Sequence, residues 1–395
     1  MRIVHIITRF IRGGADENTL LTCNGQAQLG HEVHLIAGDH HREMVSRLDP
    51  RVNWHHLPSM KHALSPYYDP LCLAQLIRRL RKLSPDIVHT HESKAGILGR
   101  LGAHLAGVPL IVHGVHILPF VNVSRPISLI YLALEKLAAR VTDAYVSVSQ
   151  EMENICVAHG LGAANIHTVV PSGMDLSSYR DAIPISRDGL IPGQRIPENA
   201  TIGLIAGHLE RRKRIGDLVS ALGSSLGGGD WILLVAGEGP ERDALTAVIS
   251  RLGLQDRVFL LGFRTDLPRL LASVDFVVHA ATNEGLPRVL VQAVLAGKPV
   301  VAPALPGIEN VVTNGANGLL AAVDSFEDLA ELTVEMAQNA ALRDRFVVAA
   351  RTIDLSPWET DAMVQRIESV YSNALSRRAS GRSEIDQQAL INQAE

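Results

Sequence analysis

The residues best placed to do chemistry are Asn283-Glu284-Gly285-Leu286-Pro287, which lead into Arg288-Val-Leu-Val-Gln292. The apolar run Asp275 to His279 before them reads as a buried parallel strand, and the pattern after them reads as a helix. The turn therefore lies at the carboxyl edge of a sheet. Ligands bind there in open α/β folds, beside the free N–H groups of a helix start. A carboxylate at that edge can grip a polyol, and it can equally be an ordinary first-turn glutamate stabilised by the helix dipole.

A second candidate is Gly207-His208-Leu209-Glu210-Arg211-Arg212-Lys213-Arg214, a strand exit followed by a dense basic loop. Crowded cations are tolerated on any wet surface, yet at a sheet edge they suit a diphosphate. Near the start, Gly13-Gly14-Ala15 lets backbone N–H groups approach a phosphate, although its spacing is not that of a dinucleotide fingerprint. Gly237-Glu238-Gly239-Pro240 also follows a strand, but Arg242 stands where the third glycine would be, so it reads as a close turn. Among the 17 histidines, His89 and His91 alternate along one strand face, and His113 and His116 follow on the next strand. Neither pair has an obvious third and fourth ligand, so no metal site is expected. The chain contains no Asp-x-Asp to hold a divalent cation on a diphosphate, which leaves basic side chains and helix ends to neutralise one.

The elements that must position these residues come as strand-like runs separated by helical patterns, from Ile3–Ile7 through Ile166–Val170 and again from Thr201 through Ala302. This alternation predicts α/β architecture with parallel, doubly wound sheets. A stretch rich in proline and glycine separates the two series. The expected organisation is a first domain over 1–180, a linker over 181–200, a second domain over 201–355, a C-terminal helix over 356–376, and a polar, disordered tail over 377–395.

Composition narrows the class. The 395 residues, 47% of them hydrophobic, suffice for two cores. With 37 basic and 41 acidic residues the net charge is −4, so bulk charge gives no sign of nucleic-acid binding. Three scattered cysteines, Cys23, Cys72 and Cys156, fit a reducing cytoplasm better than a disulfide framework. His5 and Arg9 interrupt the first apolar run, which reads as a strand and not a signal peptide, and no stretch is long enough to span a membrane. Arg78, Arg79, Arg81 and Lys82 on one helix offer a basic face for peripheral contact with an anionic membrane, or simply a solvated one.

Taken together, these features resemble the retaining glycosyltransferase family four. The residues that carry the resemblance are Gly13-Gly14-Ala15 with Gly30-His31-Glu32-Val33, Pro85-Asp86-Ile87-Val88-His89-Thr90-His91, Val146-Ser147-Val148-Ser149, Pro171-Ser172-Gly173-Met174-Asp175, Gly207 to Lys213, Gly237-Glu238-Gly239-Pro240, Gly262-Phe263-Arg264 and the Glu284 stretch. Their order and spacing extend from Met1 to about Ala374. The resemblance implies a GT-B fold: two facing Rossmann-like domains, with a C-terminal helix crossing back to the first. It implies that Glu284 holds the transferred sugar and that the ribose position falls on Gln292 where the family has glutamate. His208 stands where the family has arginine, and Lys213 is the matching lysine on the diphosphate. Arg211, Arg212 or Arg214 would compensate for the histidine.

By the same resemblance, Gly14, Phe263, Arg264, Asn283, Gly285, Leu286 and Pro287 complete the donor side. His116 approaches the sugar, although the His113-Gly114 pair competes with it for that place, and Gly13, His91 and His113 belong to the acceptor side. The implied activity is metal-independent, retaining transfer of a sugar from a nucleoside diphosphate sugar, of UDP type, to a glycan, glycolipid or small-molecule acceptor. It would proceed in the cytoplasm or at the cytoplasmic face of the membrane, in bacterial polysaccharide or envelope glycan synthesis, with domain closure excluding water. An epimerase of the same fold, or a binding protein without turnover, are the alternatives.

Overall fold

The computed structural model describes the chain except residues 117, 119, 121–123, 192, 195, 228, 229, 283–286, 306 and 395, together with the side chains of 224, 227 and 381–394. Two compact units result, Met1–Met174 with Pro357–Glu395, and Asp175–Ser356.

Unit 1 alternates β1 (Arg2–Ile7), α1 (Gly14–Gln28), β2 (Glu32–Ala37), α2 (Arg42–Ser46), β3 (Asn53–His56), α3 (Tyr68–Leu83), β4 (Ile87–His91), α4 (Ser93–Ala106), β5 (Leu110–Val115), α5 (Arg125–Ala139), β6 (Ala144–Ser147), α6 (Gln150–Ala158) and β7 (His167–Val169). The strands pair in parallel in the order β3-β2-β1-β4-β5-β6-β7. Continuous apolar runs explain this, because a parallel sheet is covered on both faces. Ile3, Ile87 and Val112 enter one core, while Val4, Ile6, Val88 and Ile111 enter the other, beneath α3 and α4. The fully buried Arg100 of α4 meets Glu135 of α5 at 2.5 Å and donates to the hydroxyls of Thr142 and Tyr145. Strand order reverses between β1 and β4, which places a crevice at their carboxyl ends.

Unit 2 opens with the short helices α7 (Ser177–Arg180) and α8 (Arg187–Leu190). It continues with β8 (Thr201–Ala206), α9 (Ile215–Gly227), β9 (Trp231–Ala236), α10 (Arg242–Arg251), β10 (Val258–Gly262), α11 (Leu267–Ala272), β11 (Phe276–Val278), α12 (Arg288–Leu295), β12 (Val300–Pro303), β13 (Gly318–Ala321), α13 (Phe326–Gln338) and α14 (Ala340–Ala350). Its sheet is also parallel, in the order β10-β9-β8-β11-β12-β13, with the reversal between β8 and β11. Trp231, Leu233, Phe276 and Val301 lie in its core.

The last helix, α15 (Thr360–Ala394), crosses back to unit 1. There Met363, Val364, Ile367 and Tyr371 enter the same core as Ile3 and Ile87.

The structure adds to the sequence at three places. Residues 181–200, expected as a linker, are bonded into unit 2: Ile185 N–H donates to Ser273 Oγ at 2.6 Å, and Arg187 donates to the carbonyls of Pro197 and Ala200. The strand β13 is hidden in the sequence because Gly318-Leu-Leu-Ala has no β-branched residue and follows the turn-like run Asn314-Gly-Ala-Asn317. The tail from 377, expected to be disordered, stays helical to Ala394; it is free of proline and rich in alanine, arginine and glutamine, which favour helix.

Candidate active site

In unit 2 the exits of three adjacent strands are braced backbone to backbone. Gly207 N–H donates to the Ala236 carbonyl at 3.0 Å, Gly237 N–H to Gly262 at 2.8 Å and Leu209 N–H to Glu238 at 2.8 Å. A Cβ on Gly237 would lie 1.8 Å from the Gly207 carbonyl oxygen, so only glycine permits this approach. The Gly-Glu-Gly-Pro turn therefore supports the basic loop beside it, and Arg242 donates to Glu238 at 3.0 Å.

On that loop, Lys213 ends a single 3₁₀ turn (Arg211–Lys213) and folds back over the strand exit. Its Nζ is 4.0 Å from where a Cβ of Gly207 would stand. His208 is exposed on the same loop. The neighbouring arginines differ in their engagements. Arg212 pairs with Glu210 at 2.6 Å, whereas Arg214 meets Asp217 and Asp324 at 2.9 and 3.1 Å and lies 4.2 Å over the Phe326 ring. Of the three arginines expected to compensate for His208, Arg214 is thus committed to the fold, and Arg211 is exposed.

Phe263, 49% exposed, follows the exit of β10. The Arg264 guanidinium is held in a two-pronged pair with Asp266, both contacts at 2.7 Å. Pro287 precedes α12, and Gln292 is buried in its second turn. Asn283, Glu284, Gly285 and Leu286 lie outside the described residues, in the connection from β11 to α12.

In unit 1, α1 begins at Gly14 with Gly13 extended before it. Asp16 occupies the space beside Gly13, where a Cβ would come within 2.8 Å of Asp16 Oδ2. Asp16 is buried and accepts from Ile11 N–H at 3.2 Å. Burial pushes its carboxyl from 3.8 up to about 6, opposed by that hydrogen bond and by the charge of Arg9. On the other side of the strand reversal, Glu92 follows β4 with φ 60° and ψ −176°, a region that only glycine occupies without strain. Burial, and after it the charge of Asp16, push Glu92 from 4.5 up to about 7. The Asp16 carboxyl beside the glycine turn favours hydroxyl ligands over a phosphate, which its charge repels. Asp16 and Glu92 were missed in the sequence, although Glu92 closes a strand at the kind of edge that singled out Glu284.

Behind this edge, His5, His89 and His91 are buried on the face of β1 and β4 that α1 and α15 cover. His5 Nδ1 is 2.9 Å from His91 Nε2, and His91 Nδ1 is 3.0 Å from His116 Nε2. His5 Nε2 is 2.7 Å from Gln26 Oε1, and His89 Nδ1 is 2.7 Å from the Tyr371 hydroxyl. Gly114 leaves room for these rings, since a Cβ there would lie 3.0–3.2 Å from nitrogens of His91, His116 and His89. Burial lowers His5 to about 4 and holds His89 and His91 well below the usual imidazole range, with neighbouring histidines adding to the effect.

His113 points to the opposite face, 2.9 Å from Thr90 Oγ1 and against Gly96 of α4. The structure thus joins His91 to His116 and keeps His113 apart. One nitrogen from each of His5, His89 and His91 lies within 4.8 Å of the others, a spacing that could serve a metal ion. Sequence spacing does not mark His5 as the third histidine, because only strand register brings it beside His89.

Comparison with known proteins agrees with this architecture. The family model described as Glycosyltransferase Family 4 matches residues 12–178, and that described as Glycosyl transferases group 1 matches residues 186–353. The chain is similar to the Escherichia coli UDP-Gal:alpha-D-GlcNAc-diphosphoundecaprenol alpha-1,3-galactosyltransferase, at 28% identity over 306 residues, covering 76% of this chain and 78% of that protein. It is also similar to the Bacillus anthracis N-acetyl-alpha-D-glucosaminyl L-malate synthase, at 23% identity over 363 residues, with 88% and 91% covered. Among solved structures, Anabaena HepE in complex with UDP-glucose aligns with a TM-score of 0.76 and 21% identity over 94% of this chain and 100% of that one, a likeness of fold.

Proposed function

Because the chain belongs to glycosyltransferase family 4 and has its GT-B fold, we propose that it transfers a sugar, with retention of configuration, from a UDP-sugar held by unit 2 to a lipid-linked or glycan acceptor held by unit 1. The observation that carries the donor assignment is the Lys213 ammonium lying over the exit of β8, at the strand reversal of unit 2. Breaking the glycosidic bond develops negative charge on the diphosphate. Lys213 is a charge already in place to receive it, and His208 and Arg212 stand on the same loop. Glu284 orients the transferred sugar, Gln292 donates to or accepts from the ribose, and the turn at Phe263 and Arg264 meets the base. No protein nucleophile is needed when the leaving phosphate assists the acceptor on the same face of the sugar.

On the acceptor side, Glu92 and Asp16 orient hydroxyl groups at the Gly13-Gly14 turn, and His116 approaches the sugar. A lipid-linked acceptor is supported by the name of the Escherichia coli relative, whose acceptor carries diphosphoundecaprenol. It is supported again by α5, where Leu129 and Ile130 are 67% and 52% exposed beside Arg125 and Lys136. A helix with apolar and basic residues in the open suits the surface of an anionic membrane. No described helix is long and apolar enough to cross one. The proposal is tested by a panel of nucleotide sugars scored for free nucleotide with and without polyprenyl-diphosphate glycolipids. Acceptor-dependent release supports it; an isomerised donor without acceptor, or binding without release from any donor, would replace it with an epimerase or a binding protein.

A further inference from the structure

The buried histidines of unit 1 form a hydrogen-bonded chain whose direction is fixed at one end. Gln26 lies between a carboxylate and an imidazole: its Nε2 is 2.9 Å from Glu368 Oε1, and its Oε1 is 2.7 Å from His5 Nε2. A carboxylate accepts only, so the amide nitrogen must face Glu368 and the amide oxygen must face His5. His5 therefore donates from Nε2. A neutral imidazole carries one N–H, which leaves His5 Nδ1 as an acceptor. His91 Nε2, 2.9 Å away, must donate to it, so His91 Nδ1 accepts in turn from His116 Nε2 at 3.0 Å. His31 Nε2 holds the second oxygen of Glu368 at 3.0 Å and keeps the carboxylate in place.

We propose that Glu368 and Gln26 are positioning residues that act through His5 and His91 to hold His116 as the Nε2–H tautomer, with its acceptor lone pair on Nδ1. The consequence for catalysis rests on the proposal that His116 meets substrate: a histidine fixed this way acts at Nδ1 only as an acceptor and cannot donate there. The arrangement competes with a metal ion at His5, His89 and His91. Ligation would require lone pairs on the nitrogens turned to the ion, and the 2.9 Å bond between His5 Nδ1 and His91 Nε2 places a proton between two of them.

The test is long-range ¹H–¹⁵N correlation on full-length protein labelled with [¹⁵N]histidine and assigned by single histidine substitutions. The wild type should show His5, His91 and His116 all protonated at Nε2. Glu368→Gln offers an amide in place of the carboxylate, which lets Gln26 turn over and donate to His5. At least part of His116 should then carry its proton on Nδ1, and kcat should fall about 3- to 30-fold with donor KM unchanged. Gln26→Met, which removes both bonds, should likewise give a mixture of tautomers should the first variant fold poorly. A wild-type spectrum with His116 protonated at Nδ1 overturns the proposal, as does stoichiometric zinc whose removal shifts the His5 and His91 resonances. Reversed tautomers with kcat unchanged overturn the catalytic role. Failure of the wild type to transfer any sugar would instead defeat the function assigned above, and the spectra would still report on the chain of histidines.

Discussion

Replacing Glu92 by glutamine should stabilise the protein while impairing it. The carboxyl of Glu92 is raised from 4.5 to about 7, chiefly by burial and then by Asp16. Between those values the folded protein holds a proton that the unfolded chain has released, so unfolding free energy falls as pH rises through this window and levels off above about 7. At 1.36 kcal/mol for each pH unit, the gap amounts to about 3 kcal/mol. Glutamine keeps the shape and the φ of 60° but has no charge to bury. For a domain of this size 1 kcal/mol moves Tm by about 2–4 °C, and allowing for relaxation around the carboxylate, Glu92→Gln should raise Tm by about 4–10 °C at pH 8 and by almost nothing at pH 4.5. Calorimetry of both proteins across that range reads the difference directly. In the same variant, acceptor-dependent transfer should fall, and the limb of its pH profile near 7, shared with Asp16 as a coupled pair, should flatten. A Tm difference independent of pH would mean that the buried Glu92 charge is not what costs stability.

Four further outcomes follow from the same geometry. Lys213→Ala removes about 1.5–3 kcal/mol of charge-assisted bonding to the leaving diphosphate, so turnover should drop roughly tenfold to a hundredfold; unchanged steady-state rates would remove Lys213 from the site. Glu284→Gln should abolish most transfer yet leave UDP binding intact by calorimetric titration, and loss of both together would indicate a structural role. Glu135→Ala strands the buried Arg100 guanidinium and should cost about 3–5 kcal/mol in denaturant unfolding, since the two side chains are 4% and 0% exposed. The double change Leu129→Asp with Ile130→Asp should weaken co-sedimentation with anionic phosphatidylglycerol vesicles at least several-fold without lowering Tm, because both side chains already face water.

Much of the fold was legible because both sheets are parallel and buried on both faces, which writes each central strand as an apolar run such as Ile3 to Ile7 or Trp231 to Ala236. The short strand β13 carries too little of that signal. At residues 181–200 the prolines mark a break in periodicity and do not say where the chain is bonded. Within the candidate site, the glycine turns and Lys213 could be found from their place after a strand. The relations among arginines could be found only in part: the pair of Arg214 with Asp217 lies within three residues, but its pair with Asp324, more than 100 residues away, does not. His5 joins His91 across 86 residues and Glu368 joins Gln26 across 342, so the histidine chain exists only once register and α15 are in place. The raised carboxyls of Asp16 and Glu92 likewise arise from burial that a sequence does not state.

Retaining transfer from a nucleotide sugar is read in the anomeric configuration of the product. An α-linked UDP-sugar that supports acceptor-dependent release should be incubated with the acceptor and the new linkage followed by proton NMR from the first turnovers. Retaining transfer gives an α-glycosidic product appearing in step with UDP. A β-linked product, or UDP released without a new glycosidic bond, would contradict it.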